Sequence, residues 1–270
     1  MRITIKLGGS ILEDAEIRGR LLDEVASIAL RKHEIILVHG GGKSLNRRLR
    51  QLQMEARFID GLRVTDEETL GVAVMVLAGE VNKKLVAELG RPGVAALGLC
   101  GADAQAVCCA PVAGMPGYPD GIGFVGKPTK VNRAFFELLL GAAITPVVSS
   151  IAIKPAADSG EKTRFYNINA DQMASACAAE TGCEALVYLT DVPGVMDANE
   201  KTIDALGKAD ILELRARGAI SGGMLPKTAA CLEAIDAGVG AVYILPGADK
   251  NILTDFITGN LTKGTKIYES

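Results

Sequence analysis

The chain has 270 residues, of which 49% are hydrophobic, and it carries a formal net charge of -3 at pH 7. A chain of this length can bury a sizeable core in one large or two small domains. Positive and negative residues are interspersed, so the charge balance gives no indication of binding to nucleic acid or to an anionic membrane. Without a membrane-spanning apolar run or a recognisable signal peptide, we expect a cytoplasmic protein that acts on small molecules.

Six short apolar runs, rich in β-branched residues, alternate with segments of helical periodicity. Such alternation is typical of βαβ units around a mainly parallel sheet, so we predict a doubly wound α/β fold. In such folds ligands bind at the carboxyl ends of the strands, which directs attention to the residues after each run. The predicted strands are 3–7, 35–38, 94–99, 144–148, 186–189 and 242–245.

The first two predicted strands both end in glycine turns, KLGGS at 6–10 and HGGG at 39–42. Glycine lets an anion approach the main chain, so two adjacent turns can offer backbone N–H groups to phosphate oxygens. Tight strand-to-helix turns would explain the glycines alone, but such turns do not require Lys6. The Gly-Lys-Ser at 42–44 does not complete a P-loop, because Leu37 stands where that pattern needs a glycine.

Residues 167–171 read Asn-Ile-Asn-Ala-Asp. If this stretch is extended, Asn167, Asn169 and Asp171 point to one side, where they would order a substrate and hold lysines in place. The alternative is a turn in which Asp171 caps a helix that begins at Gln172, and the two roles are compatible.

The segment 221–227, SGGMLPK, has the pattern of a helix start. Ser221 or Gly223 can cap a helix whose first turn admits Pro226, which would place Lys227 near the positive end of that helix. The lysine and the helix terminus would then attract the same anion. A surface lysine beside an ordinary helix start is the alternative.

Two more charged residues stand in suggestive places. Arg63, within GLRVT at 61–65, suits bidentate binding of a carboxylate, although a solvated arginine would read the same way. Asp191 directly follows the fifth predicted strand and precedes a Pro-Gly pair, which suits contact with a nucleotide or simply the start of a turn.

The six cysteines contain no C-x-x-C pair, and the chain has two histidines. Zinc-ligand spacing is therefore absent, and we predict no metal site built from protein side chains. Free cysteine commonly packs as a small hydrophobe, so buried and reduced thiols are expected.

Taken together and in this order, KLGGS, VHGGG, GLRVT, NINAD, TDVPGVM and GGMLPK resemble the amino-acid kinase family over essentially the whole chain. The glycine turns are shared with carbamate, uridylate and aspartate kinases, whereas GLRVT with NINAD and GGMLPK resembles the members that phosphorylate N-acetyl-L-glutamate. The resemblance implies a three-layer α/β/α sandwich with a mainly parallel central sheet and two lobes. Residues 1–182 would bind the amino acid and dimerise, and residues 183–270 would bind ATP.

The resemblance also implies roles for individual residues. Lys6 and Lys227 match the lysines that stabilise the transferring phosphoryl group, and Asp171 matches the aspartate that organises them. The segment 121–127, GIGFVGK, matches a hairpin that covers the substrate. The matched substrate-binding positions are Gly41, Gly42, Arg63, Asn167 and Asn169. The matched phosphate-loop positions are Gly8, Gly9 and Gly40. The matched nucleotide-binding positions are Asp191, Val192, Pro193, Gly194, Val195, Met196, Ala219, Ile220 and Ser221.

The implied reaction is ATP-dependent phosphorylation of the γ-carboxylate of N-acetyl-L-glutamate to an acyl phosphate, the second step of arginine biosynthesis. A glutamate side chain has a reference pKa of about 4.3, so the acceptor is already ionised at neutral pH and needs no general base. Two lysines and glycine-turn amides supply the positioning and charge stabilisation that phosphoryl transfer requires. The expected cofactor is Mg²⁺ with ATP, held mainly by the nucleotide.

Arginine-inhibited members of the family carry an extra amino-terminal helix that links dimers into hexamers, and only five residues precede Lys6 here. We therefore expect a homodimer that is insensitive to arginine. Two alternatives stay open. One is a kinase for an aminoadipate or glutamate group linked to an acidic carrier protein, which the arginines within 47–50 could bind. The other is a non-catalytic, ligand-sensing homologue.

Overall fold

The computed structural model describes residues 1–113, 121–155, 164–197, 199–220 and 222–269. Its strands, numbered along the chain, are β1 (Arg2–Leu7), β2 (Glu34–His39), β3 (Phe58–Ile59), β4 (Leu62–Arg63), β5 (Ala96–Leu99), β6 (Val107–Pro111), β7 (Val125–Val131), β8 (Thr145–Ser149), β9 (Ile151–Lys154), β10 (Arg164–Ile168), β11 (Ala185–Thr190), β12 (Ala205–Gly207), β13 (Ala241–Pro246) and β14 (Thr265–Tyr268).

A π-helical segment, Val74–Val81, joins the fourth helix to the fifth without a break. None of the described helices combines the length and apolar character needed to cross a membrane. The α-helices are α1 (Gly9–Glu13), α2 (Ala15–Leu30), α3 (Gly42–Gln51), α4 (Glu67–Ala73), α5 (Asn82–Gly90), α6 (Arg133–Gly141), α7 (Ala170–Glu180), α8 (Lys208–Ala216), α9 (Met224–Asp236) and α10 (Ile252–Thr258).

An eight-stranded sheet with the order β12-β14-β13-β11-β1-β2-β8-β5 forms the middle of the molecule. Every neighbouring pair in it is parallel except β13 with β14. All six strands predicted from the sequence lie in this sheet. The predicted α/β fold with a mainly parallel central sheet is therefore confirmed.

Helices cover both faces of the sheet because each central strand is apolar on both sides. On one face, Ile3, Ile5 and Leu7 pack with α1, α2, α3, α5 and α10. On the other face, Ile36 and Val38 pack with α6, α7, α8 and α9. The sheet and the helices on its two faces form the three layers of the predicted sandwich, with one core on each side of the sheet. Each core contains residues from both sides of residue 182, so the predicted lobe boundary does not divide the hydrophobic core, and the division stays a prediction.

A second sheet of four strands, β10-β7-β6-β9, closes on itself beside the central sheet. Val125–Lys127 of the predicted covering hairpin lie in β7, which pairs antiparallel with β6 and parallel with β10, so the covering role of 121–127 stays a prediction. A further short hairpin is formed by β3 and β4, where Phe58 pairs with Arg63. Residues 114–120, the rest of that predicted loop, lie outside the described residues.

The cysteines are free, and five of the six are buried while Cys100 is partly exposed. Burial raises the pKa of Cys177 and of Cys231, which keeps these thiols protonated and unreactive. The expectation of reduced thiols in the core is thus met, apart from the partial exposure of Cys100.

Gly101 lies where the two sheets meet, and a methyl group there would clash with main chain. Its Cβ would lie 2.3 Å from the Val107 oxygen and 2.6 Å from Ala152 Cα. We expect Gly101→Ala to lower the free energy of unfolding by about 1–3 kcal/mol. The matched control is Gly19→Ala in α2, where no atom lies within 4 Å, and which should raise stability by about 0.5–1 kcal/mol. Urea unfolding followed by circular dichroism measures both, and changes of the same sign would contradict the account.

Candidate active site

The strands β1, β2 and β11 lie side by side and run parallel, so their carboxyl ends meet at one edge of the sheet. Gly8 follows β1 and donates its N–H to the Leu189 oxygen at 3.0 Å. Gly40 follows β2, and Asp191 follows β11. The prediction that the two glycine turns end neighbouring strands is confirmed.

Lys6, Asp171 and Lys227 form one charged cluster at this edge. Lys6 Nζ lies 2.7 Å from Asp171 Oδ1, and Lys227 Nζ lies 2.9 Å from Asp171 Oδ2. The three side chains come from β1, α7 and α9 and are only 10 to 14% exposed. One carboxylate therefore holds two ammonium groups that are 221 residues apart in the chain, as residue numbers 6 and 227 show.

Burial and mutual attraction act in opposite directions on these groups. Burial would raise the pKa of Asp171, but the charges of Lys6 and Lys227 outweigh it and bring that pKa down to about 2. Burial lowers the pKa of Lys6, and Lys227 lowers it further, whereas Asp171 and Asp191 favour its charged form. Asp171 also lies in the first turn of α7, whose positive end favours a carboxylate.

Tyr188 contacts both Asp171 and Lys227 of the charged cluster. Its hydroxyl group bonds to Ser175 Oγ at 2.7 Å and donates to the Asp171 backbone oxygen at 3.1 Å. Its ring lies 5.1 Å from Lys227 Nζ, within the range of a cation–π interaction. Tyr188 thus restrains both Asp171 and Lys227.

The segment 167–171 is not extended throughout, which corrects one expectation. Asn167 lies in β10, but the strand ends at Ile168, and α7 begins at Ala170. Asn169 is the helix cap, because its side chain accepts hydrogen bonds from the N–H groups of Asp171 and Gln172. The prediction that Asp171 caps this helix is wrong, and its carboxylate remains available for the lysines.

A cavity of about 150 Å³ is lined by Gly40, which follows β2, and by Ala170, the residue before Asp171. Its walls come from the turn after β2, the β3–β4 hairpin, β7 and the junction of β10 with α7. All five residues predicted to bind the substrate lie in this wall. They are Gly41, Gly42, Arg63, Asn167 and Asn169.

Arg63 carries an unsatisfied charge at this cavity. Its Nη2 donates to Asn46 Oδ1 at 2.6 Å, and its guanidinium lies 4.5 Å from the centre of the Phe58 ring. Its Nη1 is buried and has no hydrogen-bond partner among the described residues. Burial lowers the pKa of Arg63 to about 10, which leaves it charged at neutral pH. A buried guanidinium with a free donor is suited to a carboxylate.

The glycine turns are shaped by close neighbours. Gly41 has a φ of 152°, and a Cβ there would lie 2.7 Å from Leu77 Cδ2. A Cβ on Gly8 would lie 2.8 Å from the Leu189 oxygen, whereas Gly9 faces open space. Gly42 begins α3, and Gly40, Gly41 and Gly42 all line the cavity.

The residues predicted to bind the nucleotide lie on two loops. Asp191 to Met196 follow β11, and Gly194 there has a φ of 152° and packs against Thr265. Ala219 and Ile220 lie between α8 and α9. Ser221 lies outside the described residues. The α9 helix begins at Met224 after the cap Gly223, which confirms the helix start predicted for this segment.

The fold and the matched sequence together decide the family. The sequence model of the amino acid kinase family matches residues 1–246. This chain belongs to the amino acid kinase family.

Relatives and solved structures agree with this assignment. A protein named acetylglutamate kinase from Koribacter versatilis is 43% identical over 267 residues, covering 99% of this chain and 98% of that protein. Another of the same name, from Acidobacterium capsulatum, is 43% identical over 270 residues and 100% of each chain. The carbamate kinase from Giardia lamblia bound to AMP-PNP has the same fold, with a TM-score of 0.74 at 16% identity over 100% of this chain and 98% of that one.

Other charged residues of this family member lie away from the cluster. Lys43 is exposed in the first turn of α3. Arg47 and Arg48 form ion pairs with Glu13 and Glu80. Two of the three arginines within 47–50 thus have counter-charges inside the chain. This weakens the interpretation of these arginines as a docking surface for an acidic carrier protein.

Several residues that shape the site were missed by sequence reasoning. Tyr188 lies inside a continuous apolar strand, and Asn46 and Asn82 lie within helices, so no local pattern marks them. Ser150 follows β8 and lines the cavity, a position that strand order could have indicated. His39 directly precedes the glycine turn, and a polar residue that ends an apolar strand was a usable signal.

Asp171→Asn tests the charged cluster through stability. The substitution removes the carboxylate that two largely buried ammonium groups contact, so we expect it to lower the free energy of unfolding by about 3–5 kcal/mol at pH 7. The folded-state pKa of Asp171 is lowered to about 2, so its contribution is complete above an unfolded pKa of about 3.9 and is lost as pH falls through the folded value. The stability difference between wild type and variant should therefore shrink between pH 4 and pH 2.

Urea unfolding at a series of pH values provides this measurement. Asp23→Asn, at an exposed position on α2, is the control and should change stability by less than about 0.5 kcal/mol. A stability difference for Asp171→Asn that stays constant down to pH 2 would contradict the role assigned to its carboxylate.

Proposed function

We propose that this chain phosphorylates the γ-carboxylate of N-acetyl-L-glutamate with ATP and forms an acyl phosphate, the second step of arginine biosynthesis. The observation that carries the proposal is the Lys6–Asp171–Lys227 cluster beside a cavity with the unsatisfied guanidinium of Arg63. The 43% identity to proteins named acetylglutamate kinase over nearly the whole chain supports the choice of acceptor.

The cavity suits an acceptor with two carboxylates and an amide. Arg63 would bind the α-carboxylate through its free Nη1 donor, because a guanidinium matches the geometry of a carboxylate. Asn167 and Asn169 offer amide groups at the same wall. Gly41 and Gly42 line the same cavity and precede and begin α3, so their N–H groups would meet the γ-carboxylate at the positive end of a ten-residue helix.

The chemistry follows from the charges at the sheet edge. The γ-carboxylate is ionised at neutral pH, since its reference pKa is about 4.3, and it attacks the γ-phosphorus of ATP without a general base. Negative charge spreads over the transferring oxygens, and the ammonium groups of Lys6 and Lys227 would stabilise it from two sides. Asp171 pairs with both lysines and orients them but does not itself accept a proton, because its pKa is about 2.

ATP would bind across the glycine turn at Gly8 and Gly9, where its phosphates meet Gly40 and Lys6. The adenosine would contact the loop 191–196 together with Ala219, Ile220 and Ser221. Asp191 is close enough to Lys6 to favour the charged form of that lysine, which supports placing the nucleotide loop next to the transferring group. In this arrangement residues 1–182 bind the acceptor and also contact the ATP phosphates, and residues 183–270 bind the rest of ATP.

The described residues do not form a dedicated metal site. Within those parts of the chain, no group of three or more His, Cys, Asp or Glu side chains could hold a metal ion. Asp171 is already committed to two lysines. We propose that Mg²⁺ enters as part of the ATP substrate, and no step of the transfer is assigned to a protein-bound metal.

The proposal includes a cytoplasmic homodimer that is insensitive to arginine. Support for the dimer comes from two exposed apolar side chains, Met75 in the π-helical segment at 60% exposure and Leu97 in the edge strand β5 at 41%. Light scattering of the purified protein measures the assembly, and a hexamer or inhibition by arginine would count against this part.

A hydroxamate assay over a panel of acceptors tests the function directly. The panel contains N-acetyl-L-glutamate, L-glutamate, N-acetyl-L-aspartate and a carrier-linked glutamate, each with ATP and hydroxylamine to trap the acyl phosphate. We expect N-acetyl-L-glutamate to give the highest kcat/KM. Phosphorylation of the carrier-linked form alone would overturn the choice of substrate, and the absence of any product would favour a non-catalytic sensor.

Arg63→Lys tests the acceptor site. Lysine keeps the charge but loses the bidentate fork, so we expect KM for N-acetyl-L-glutamate to rise about 10- to 100-fold while KM for ATP stays within about twofold. Arg57→Lys, at an exposed position close in the chain, is the control. Steady-state kinetics with each substrate varied in turn provides the measurement, and an equal rise in both KM values would argue against a specific role in acceptor binding.

A comparison of two lysines tests the phosphoryl-transfer site. Lys6→Ala removes a buried cation next to the transferring group, so we expect kcat to fall about 10²- to 10³-fold. Lys43→Ala removes an exposed side chain at the start of α3, so kcat should stay within about fivefold of wild type. Equal losses of kcat in the two variants, measured at saturating ATP and acceptor, would contradict the assignment of Lys6.

A further inference from the structure

His39 forms a short hydrogen bond with the turn that it precedes. Its Nδ1 lies 2.7 Å from the backbone oxygen of Gly40, the next residue. The side chain is fully buried at the end of β2. A carbonyl oxygen can only accept, so this contact requires a hydrogen on Nδ1.

Asn82 fixes the other ring nitrogen. Its Nδ2 lies 3.0 Å from His39 Nε2 and 2.8 Å from the Val147 oxygen. The Val147 oxygen is an obligate acceptor, so the amide nitrogen, and not the amide oxygen, must face both partners. Each of the two amide hydrogens then has one acceptor, and His39 Nε2 must carry the lone pair.

These contacts select one form of the imidazole. Nδ1 carries the hydrogen and Nε2 does not, so the ring is neutral. Burial acts in the same direction, because it lowers the pKa of His39 to about 4 although the bond to Gly40 opposes this. A protonated ring would place an N–H of Nε2 against the N–H of Asn82.

Asn82 packs closely against β5. It is the first residue of α5, directly after the π-helical segment Val74–Val81. A Cβ on Gly98 would lie 2.0 Å from Asn82 Oδ1, so β5 makes room for the amide only by having glycine there. The π-helical segment also contributes Leu77 and Val81, which close around Gly41. Irregular helical turns of this type are frequent at functional sites.

The Gly40 carbonyl determines where the next N–H points. A trans peptide is planar, and its C=O and N–H groups point in opposite directions. The described chain has no cis peptide bond. A bond that holds the Gly40 oxygen toward His39 therefore holds the Gly41 N–H away from His39. Gly41 lines the cavity beside Arg63.

We propose that His39, held by Asn82 in its neutral Nδ1–H tautomer, is a positioning residue that fixes the Gly41 N–H in the direction required by the acceptor carboxylate. The proposal rests on the proposed function, because it assigns the Gly41 N–H to the acceptor. His39 itself touches neither substrate nor phosphate in this scheme. Its effect is on the orientation of one peptide group.

Two substitutions distinguish the contributions of the hydrogen bonds made by the two ring nitrogens of His39. His39→Asn retains a donor near the position of Nδ1, whereas His39→Gln can place its amide oxygen near the position of Nε2, where it accepts from Asn82, and removes the donor to Gly40. We expect kcat/KM for the acceptor to fall about 30- to 100-fold in His39→Gln and only about 3- to 10-fold in His39→Asn, since small errors in position cost up to about 10²-fold in rate. The Kd for ATP, measured by calorimetry, should stay within about twofold in both.

Kinetics are measured with whichever carboxylate of the acceptor panel wild type phosphorylates best. Failure of N-acetyl-L-glutamate as a substrate would then overturn the proposed function and leave the test of His39 intact. A His39→Gln variant with kcat/KM within twofold of wild type would overturn the positioning role. Equal losses in both variants, accompanied by weaker ATP binding, would show a structural role and overturn it as well.

Nitrogen NMR tests the tautomer without any reaction. The chain has two histidines, so His33→Gln leaves His39 as the one imidazole, and this variant should keep wild-type activity because His33 lies before β2 at the opposite end of that strand. Long-range proton–nitrogen spectra of the histidine-labelled variant at pH 7 should show a hydrogen on Nδ1 alone. A hydrogen on Nε2, or on both nitrogens, would overturn the inference.

Discussion

The site depends on one buried carboxylate that holds two ammonium groups. Without Asp171, two lysines with 10 to 13% exposed side chains would face each other at the sheet edge, and each would lose hydration without compensation. With Asp171, their charge is retained and their direction is fixed before any substrate binds. Preorganised charge of this kind is effective in phosphoryl transfer, because little reorganisation remains to be done during the reaction.

The fold supplies the place for this cluster. Parallel strands bring their carboxyl ends to one edge, so β1 delivers Lys6, β2 delivers the glycine turn, and β11 delivers Asp191. Asp171 comes from the first turn of α7, and Asn169 caps that helix. Buried hydrogen bonds also act at the proposed acceptor cavity. There Asn82 bonds to His39, and His39 bonds to the Gly40 oxygen of the glycine turn.

Much of this was predictable, for identifiable reasons. The six central strands are buried on both faces and therefore appear as continuous apolar runs. The second sheet was not predicted, because β7 contains Gly126, Pro128 and two lysines and has no clear alternation. The glycine-rich segments around Lys6 and Lys227 marked these lysines in the sequence. Their common partner, Asp171, is brought to them only by the tertiary structure. Asn82 meets His39 across 43 residues of sequence, and no local pattern reports such a pair.

A crystal structure with ADP, a planar fluoride analogue of the phosphoryl group and N-acetyl-L-glutamate would test the central claim most directly. We expect the analogue to lie between the turns at Gly8 and Gly41, with Lys6 Nζ and Lys227 Nζ both in hydrogen-bond contact and Asp171 still bridging them. We also expect Arg63 Nη1 to bind the α-carboxylate. An analogue contacted by neither lysine, or an acceptor bound away from Arg63, would contradict the roles proposed for these residues.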